Sequence, residues 1–335
     1  MIRLIKSNQP FALLVLLIYT ALLRLVSLVH PEPVSENTWS NPLARLVFNF
    51  WHATPFWNNV WDFAVSVLLC FGLALYLNAV VNRYRLNYAG GYVPAFAFVL
   101  AASFTNEFAV FSPALLALLP LIGAFSTMIG SYKQERAAGS WFDAGFLIST
   151  AALIYFPFIG FVLFMLIAYL VVRPFNLQEL MVAFVGVAVP LFFALVIYYW
   201  NQQAHLLINH ISHYYAPENV LRAKEYLLPL AIRLGALLLM LLVAAWAVRK
   251  VYNKAVMQHR IVISLCFAFI AAGVVTTLMM PDYYFAHFVW IAVPFGALVG
   301  LVMPEMKREW TPEVLHLCLI LLLFFFQYFY PASVN

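Results

Sequence analysis

The sequence predicts an all-α, polytopic integral membrane protein of about 11 transmembrane helices, and three observations carry that prediction. Of the 335 residues, 65% are apolar and only 9% are charged, with a mean hydropathy of +0.92. A soluble domain carries roughly 25% charged residues to keep its surface wetted. Apolar runs approaching the roughly 20 residues needed to cross a hydrocarbon core recur along the whole chain. Basic residues cluster in every second loop between those runs. This composition excludes a water-soluble enzyme, a disordered chain and a disulfide scaffold. The net charge of +5 follows from Lys- and Arg-rich loops on one side of a membrane and needs no nucleic acid to explain it.

In chain order the predicted spans are 11–29, 60–81, 91–104, 112–130, 143–156, 158–172, 180–200, 227–248, 260–280, 286–303 and 314–330. Ser7, Asn8 and Pro10 start the first. It is of spanning length and lacks a small-residue cleavage site, so a cleaved signal peptide is not expected. Gly90-Gly91 makes the turn into the third. Ser140 and Asp143 have capping-box spacing at the start of the fifth. The third, fifth and sixth spans are short, with Pro94, Pro113 and Pro157 interrupting the apolar sequence around them. They read as full crossings, as kinked helices or as re-entrant hairpins.

With the N-terminus inside, the cytoplasmic segments hold 13 of the 18 basic residues, among them Arg83, Lys133, Arg173 and Lys250. The outer loops hold only Arg45, Arg222 and Lys224. The expected topology is therefore N-terminus inside and C-terminus outside. Residues 1–335 read as a single transmembrane domain with two long outer loops, 30–59 and 201–226. Within the first, Leu43, Leu46, Val47, Phe50 and Trp51 fall at helical spacing, as in an amphipathic helix lying in the interface, with Trp39, Trp51, Trp57 and Trp61 in an aromatic belt. The three cysteines, Cys70, Cys266 and Cys318, lie in apolar runs without metal-ligand spacing.

Polar chemistry is scarce, which makes its location informative. No acidic residue falls in the middle of a predicted span, which weakens a carboxylate-based proton relay. Arg24 lies about 7 Å and Arg233 about 10 Å below the outer ends of their spans, at 1.5 Å per residue. Each either snorkels to the headgroups or points into a cavity and holds a phosphate, for which the guanidinium fork is well shaped. His205, His210 and His213, followed by Arg222, form either a second outer polar patch that binds substrate or an ordinary solvated loop. It lacks the convergent spacing of a zinc site, and no metal is expected. Glu32, Glu36 and Asp62 are the outer carboxylates proposed as general bases, and Glu107, Glu218, Glu225 and Asp282 are also on that side. Asp62 equally suits a first-turn acid complementing a helix dipole. There is no nucleotide-binding motif and no acidic pair for a metal–nucleotide donor, and no cofactor is expected.

The stretches NAVVNRYRLNYAGGYVPAFAFVLAASF (78–104), FDAGFLISTAALIYFPFIGF (142–161) and RPFNLQEL (173–180) resemble an uncharacterised polytopic inner-membrane family of Bacteroidota, over most of the chain. The resemblance implies a bacterial inner-membrane location. It also implies an association with lipid-linked sugar metabolism, through a polyprenol-phosphate mannose synthase encoded nearby. The carotene-cleaving oxygenase names attached to some relatives find no converging set of histidines here. The outline also loosely resembles polyprenyl-phosphate-sugar-dependent membrane glycosyltransferases, which follow their first helix with a long outer loop of interfacial helices and an acidic residue. The closely spaced acidic motif of that class is absent, and Glu32 sits between two prolines. The expected function is a membrane glycosyltransferase at the outer face, using a polyprenyl-phosphate-linked sugar. Its catalytic residues would be among Glu32, Glu36 and Asp62, and Arg24 and Arg233 would hold the phosphate. The alternatives are a non-catalytic subunit of an envelope assembly, with membrane-protein partners, and a transporter or flippase for a lipid-linked substrate.

Overall fold

A computed structural model describes residues 10–29, 41–52, 58–84, 91–202, 227–253, 255–277, 285–303 and 310–329. Among them every regular element is helical. In order these are α1 (Pro10–Arg24), α2 (Val26–Val29), α3 (Pro42–His52), α4 (Asn59–Arg83), α5 (Val93–Ala101), α6 (Asn106–Ala109), α7 (Pro113–Gly130) and α8 (Ala138–Ile154). A 3-10 turn at Phe156–Gly160 leads into α9 (Phe161–Val172), followed by α10 (Leu177–Trp200), α11 (Leu227–Tyr252) and α12 (Met257–Thr276). A second 3-10 stretch, Phe285–Ile291, runs into α13 (Ala292–Val302), and α14 (Trp310–Phe324) ends in a π-helical turn at Phe325–Phe329.

Among the described residues six helical stretches are long and apolar enough to cross a membrane: Asn59–Arg83, Pro113–Gly130, Leu177–Trp200, Ala231–Arg249, Met257–Thr276 and Phe285–Val302. Four more apolar helices are shorter: Phe11–Arg24, Ala138–Ile154, Phe156–Val172 and Glu313–Tyr328. The multi-pass helical character expected from composition is therefore present. The third predicted span holds only the nine-residue α5, about 14 Å long at 1.5 Å per residue, half the thickness of a bilayer core.

The prolines that interrupt the short spans turn out to start helices. Pro94 and Pro113 lie in the first positions of α5 and α7, and Pro157 in the first positions of the 3-10 turn after α8. A first-turn residue donates no intrahelical bond, so the missing N–H costs nothing there, and the ring presets φ. The capping box at Ser140 does not form. α8 begins earlier, after Ala137, and the Ser140 hydroxyl donates to Gln134. The Ala137 N–H instead donates to the Glu179 carboxylate from α10. Gly91 makes the expected turn, at a φ of 85° that favours glycine.

α5 and the residues after it lie antiparallel to the Phe285–Val302 stretch. Pro94 packs on Gly300 and Phe98 on Gly296, while the Phe108 ring stacks on Phe285 with centroids 5.4 Å apart. Residues 93–109 thus run the length of a crossing in two pieces, α5 and α6, with a break at 102–105. α8 and α10 meet backbone to backbone, since a Cβ on Gly145 or Gly186 would strike the partner's main chain. This small-residue contact is how helices associate where lipid removes the hydrophobic drive. α10 otherwise turns Phe192, Phe193, Leu195, Ile197 and Trp200 outward. α3 buries Ala44 and Phe48 against Phe111 and leaves Leu46 and Phe50 exposed, as expected of an interfacial helix with one apolar side in lipid.

Candidate functional site

The most polar region of the described interior lies at the end of the bundle where α1 stops and α4 starts, here called the α3 end. It is built around Ala102–Phe111, read AASFTNEFAVF up to residue 111 from Ala101. Ser103, Thr105 and Asn106 have short polar side chains that compete with helical backbone bonding, and the helix breaks across them. Ser112 caps the next helix by accepting from the Leu115 N–H.

A broken helix inside a membrane leaves carbonyls that other groups must satisfy. Three side chains from elsewhere do so. Gln327, in the π-helical turn, donates its amide to the Ser103 and Leu23 carbonyls. Arg24 donates to the carbonyls of Phe108 and Ala109. Ser66 on α4 donates to the Ala109 carbonyl at 2.6 Å and accepts from Arg24 Nε at 3.0 Å.

Arg24 is 0% exposed, so it does not snorkel. Its Nη1 has no hydrogen-bond partner, and among the described residues no carboxylate pairs with it. The ionisable group facing it is the Cys70 thiol, which also faces the Ser103 hydroxyl. A buried ion normally requires an opposite charge. Arg24 is instead caged by carbonyl and hydroxyl oxygens, with a formal positive charge left over.

Arg233 approaches the same one-turn helix α6 from α11. It is 6% exposed, and its Nη1 donates to Glu107 Oε1 at 2.8 Å in a buried ion pair. Its guanidinium also lies 5.6 Å from the centroid of Phe285. The two predicted phosphate ligands therefore converge on neighbouring residues, 107 to 109, but differ in kind: Arg233 is neutralised by Glu107, whereas among the described residues no carboxylate neutralises Arg24. Glu107 was legible only as one of several outer carboxylates. The polar run SFTNE inside an otherwise apolar stretch was the signal for it. Ser66 and Gln327 gave no such signal.

Asp62 lies at the same end, in the first turn of α4, and accepts from the Trp51 indole at 2.8 Å. That bond ties interfacial α3 to α4. Glu32, Glu36, His205, His210, His213 and Arg222 lie outside the described residues. A further polar chain links three elements. His287, 0% exposed, contacts the Thr276 hydroxyl through Nε2 at 3.0 Å and the Tyr155 hydroxyl through Nδ1 at 3.3 Å. Beside Tyr155, the Phe156 N–H donates to Asn41. Among the described residues no three His, Cys, Asp or Glu side chains gather as metal ligands.

The chain belongs to a family of unknown function, DUF6427, whose model matches residues 43–334. The matched stretch begins after Arg24 and contains Ser66, Glu107, Arg233, His287 and Gln327. No curated protein and no solved structure matches the chain.

Proposed function

From a chain whose family carries no assigned activity, we propose that the protein is a membrane glycosyltransferase that takes its sugar from a polyprenyl-phosphate-linked donor at the outer face of the bacterial inner membrane, the α3 end facing outward. The observation that supports this most is the Arg24 guanidinium, buried without a carboxylate among the described residues and with one nitrogen unbonded. A lipid phosphate is an anion that can reach such a charge through the bilayer, and it matches the guanidinium fork. As the glycosidic bond breaks, negative charge grows on that phosphate, and a fixed cation in a dry site stabilises it. Arg233, already paired with Glu107, supports the wall of the site. The acceptor's proton goes to Glu32, Glu36 or Asp62 in the sequence-based assignment. Asp62 is engaged by Trp51.

A second reading has one observation of its own. Helix breaks at Leu25, 102–105, Tyr155, Phe285–Ile291 and Phe325–Phe329 are joined by the Arg24, Gln327 and His287 bonds. Discontinuous helices of this kind build the substrate sites of transporters, and a flippase for the same lipid would use Arg24 in the same way.

The test is lipid binding by native mass spectrometry in nanodiscs, with polyprenyl-phosphate mannose as the probe. Wild-type protein is expected to retain the lipid, Arg24→Gln to lose it, and Arg24→Lys, which keeps charge without the fork, to bind weakly. Equal binding by all three ends the proposal. Movement of intact lipid across proteoliposomes without sugar release selects the transporter.

A further inference from the structure

At the end of the bundle opposite α3, α4 and α7 finish side by side. The Tyr76 hydroxyl of α4 lies over Gly123 of α7 and the Tyr84 hydroxyl over Gly130, where a Cβ would come within 3.2 Å and 2.7 Å of them. The Tyr84 hydroxyl donates to the Ser126 carbonyl at 3.0 Å, which pins its ring to α7. With 25 residues, α4 is about 38 Å long at 1.5 Å per residue, against about 30 Å for a hydrocarbon core. Arg83, its last residue, therefore stands at headgroup depth.

Two exposed cations are held in place there. The Arg83 guanidinium lies 5.9 Å from the centroid of the pinned Tyr84 ring, a cation–π contact. Lys133 comes from the turn that follows α7. The Gln134 N–H donates to the Ser131 carbonyl at 3.2 Å, and Lys133 takes the third position of that turn with a φ of 63°, where glycine or asparagine is usual. Arg173 donates to the carbonyls of both Ser131 and Gln134, which fixes the turn on either side of Lys133. The Lys133 ammonium stands 5.4 Å from the centroid of the Tyr132 ring. Among the described residues no carboxylate pairs with Arg83 or Lys133, not even the exposed Glu135 and Asp143.

We infer that Arg83 and Lys133 together hold the headgroup of an anionic phospholipid, with its phosphodiester against the guanidinium fork and its acyl chains along α4. Charge complementarity selects the headgroup: two fixed cations without a counterion meet a phosphate at the membrane rim. The flank of α4 selects a lipid over a free anion. From Arg83 toward the α3 end, Ala79, Gly72 and Leu68 are exposed on one helix face. A Cβ on Gly72 would meet nothing within 4 Å. Two small residues thus leave a shallow apolar channel that ends at Arg83, open to the hydrocarbon along its length. This site lies at the opposite end of the bundle from Arg24 and does not depend on the glycosyltransferase reading.

The experiment is native mass spectrometry of the full chain in detergent with phosphatidylglycerol added, and with phosphatidylcholine as the zwitterionic control. Wild type is expected to retain phosphatidylglycerol under conditions that strip phosphatidylcholine. Arg83→Gln and Lys133→Gln are each expected to weaken that retention about fivefold, and together about 25-fold, from about 1 kcal/mol per basic residue beside an anionic lipid. Arg83→Lys keeps the charge without the fork and is expected to fall between wild type and Arg83→Gln. Arg136→Gln removes an exposed cation from the same loop and is expected to change nothing. Gly72→Phe fills the channel without touching a charge and is expected to weaken retention as well. Equal retention of the two lipids by wild type overturns the inference. So does a loss in Arg136→Gln equal to that in Arg83→Gln, which would mean unspecific surface charge, or an equal loss in Arg83→Lys and Arg83→Gln, which would mean damage to the fold. Displacement of the lipid by excess glycerol 3-phosphate, together with wild-type retention in Gly72→Phe, would assign the cations to a soluble anion instead and overturn the lipid.

Discussion

Two arginines at opposite ends of the bundle solve nearly the same structural problem with different electrostatics. Arg173, after α9, donates to the carbonyls of Ser131 and Gln134 and pairs with Glu179 at 3.0 Å. Arg24, at the end of α1, donates to the carbonyls of Phe108 and Ala109 and to Ser66. Each pins a loop that has run out of helical hydrogen bonds. Of the two, among the described residues only Arg173 receives a carboxylate. Glu179 also accepts the Ala137 N–H and so completes the start of α8. An arginine with its counterion is a neutralised structural clamp. An arginine without one keeps an unmet demand for negative charge in a medium of low dielectric. On the proposed function, this difference separates scaffold from site.

The contrast can be broken most severely at the clamp. Glu179→Gln leaves Arg173 without its counterion and is expected to cost about 3 kcal/mol of stability, read as a lower unfolding midpoint in detergent, with lipid retention unchanged. At the other end the order reverses. Arg24→Gln is expected to weaken retention of polyprenyl-phosphate lipid roughly 10- to 100-fold, the worth of a hydrogen bond to a charged group, while stability stays within about 1 kcal/mol of wild type because an uncompensated charge goes with it. Equal stability losses at both ends would erase the distinction.

A sharper test converts one kind of arginine into the other. Ser66→Asp places a carboxylate against Arg24 Nε at the expense of the Ser66 donation to the Ala109 carbonyl, so it is expected to abolish lipid retention while stability stays within about 1 kcal/mol of wild type. The smallest effect belongs to Asp62→Asn. The amide oxygen still accepts from Trp51, so stability is expected to fall by less than about 1 kcal/mol with lipid retention intact. Loss of sugar release in that variant alone would return the general-base role to Asp62.

How much of this was legible depended on sequence separation. The helices follow from hydropathy and local turn chemistry, and their positions agree with the apolar runs. The prolines were read as interruptions because their position within a helix depends on where the helix starts, which Pro94, Pro113 and Pro157 set themselves. Ser140 had the spacing of a capping box, but Glu179, from the neighbouring helix, satisfied the backbone first. Arg24 and Arg233 stood out as charges in apolar runs. That one is paired and the other is not was invisible, because Glu107 and Arg233 are 126 residues apart. Arg173 and Glu179, six residues apart, share one polar turn, RPFNLQE, in the sequence itself.

The sequence by itself determined the solvent of this protein and the places where helices begin, because transfer into lipid and the geometry of proline and glycine act on each stretch of chain separately. The tertiary structure decided which polar groups meet: which buried cation gains a counterion, which carbonyls of a broken helix find donors, and which hydroxyls His287 meets. Those outcomes depend on distances of about 3 Å between side chains from different helices. Hydrophobic patterning positions each helix as a whole and carries no information about contacts of that kind.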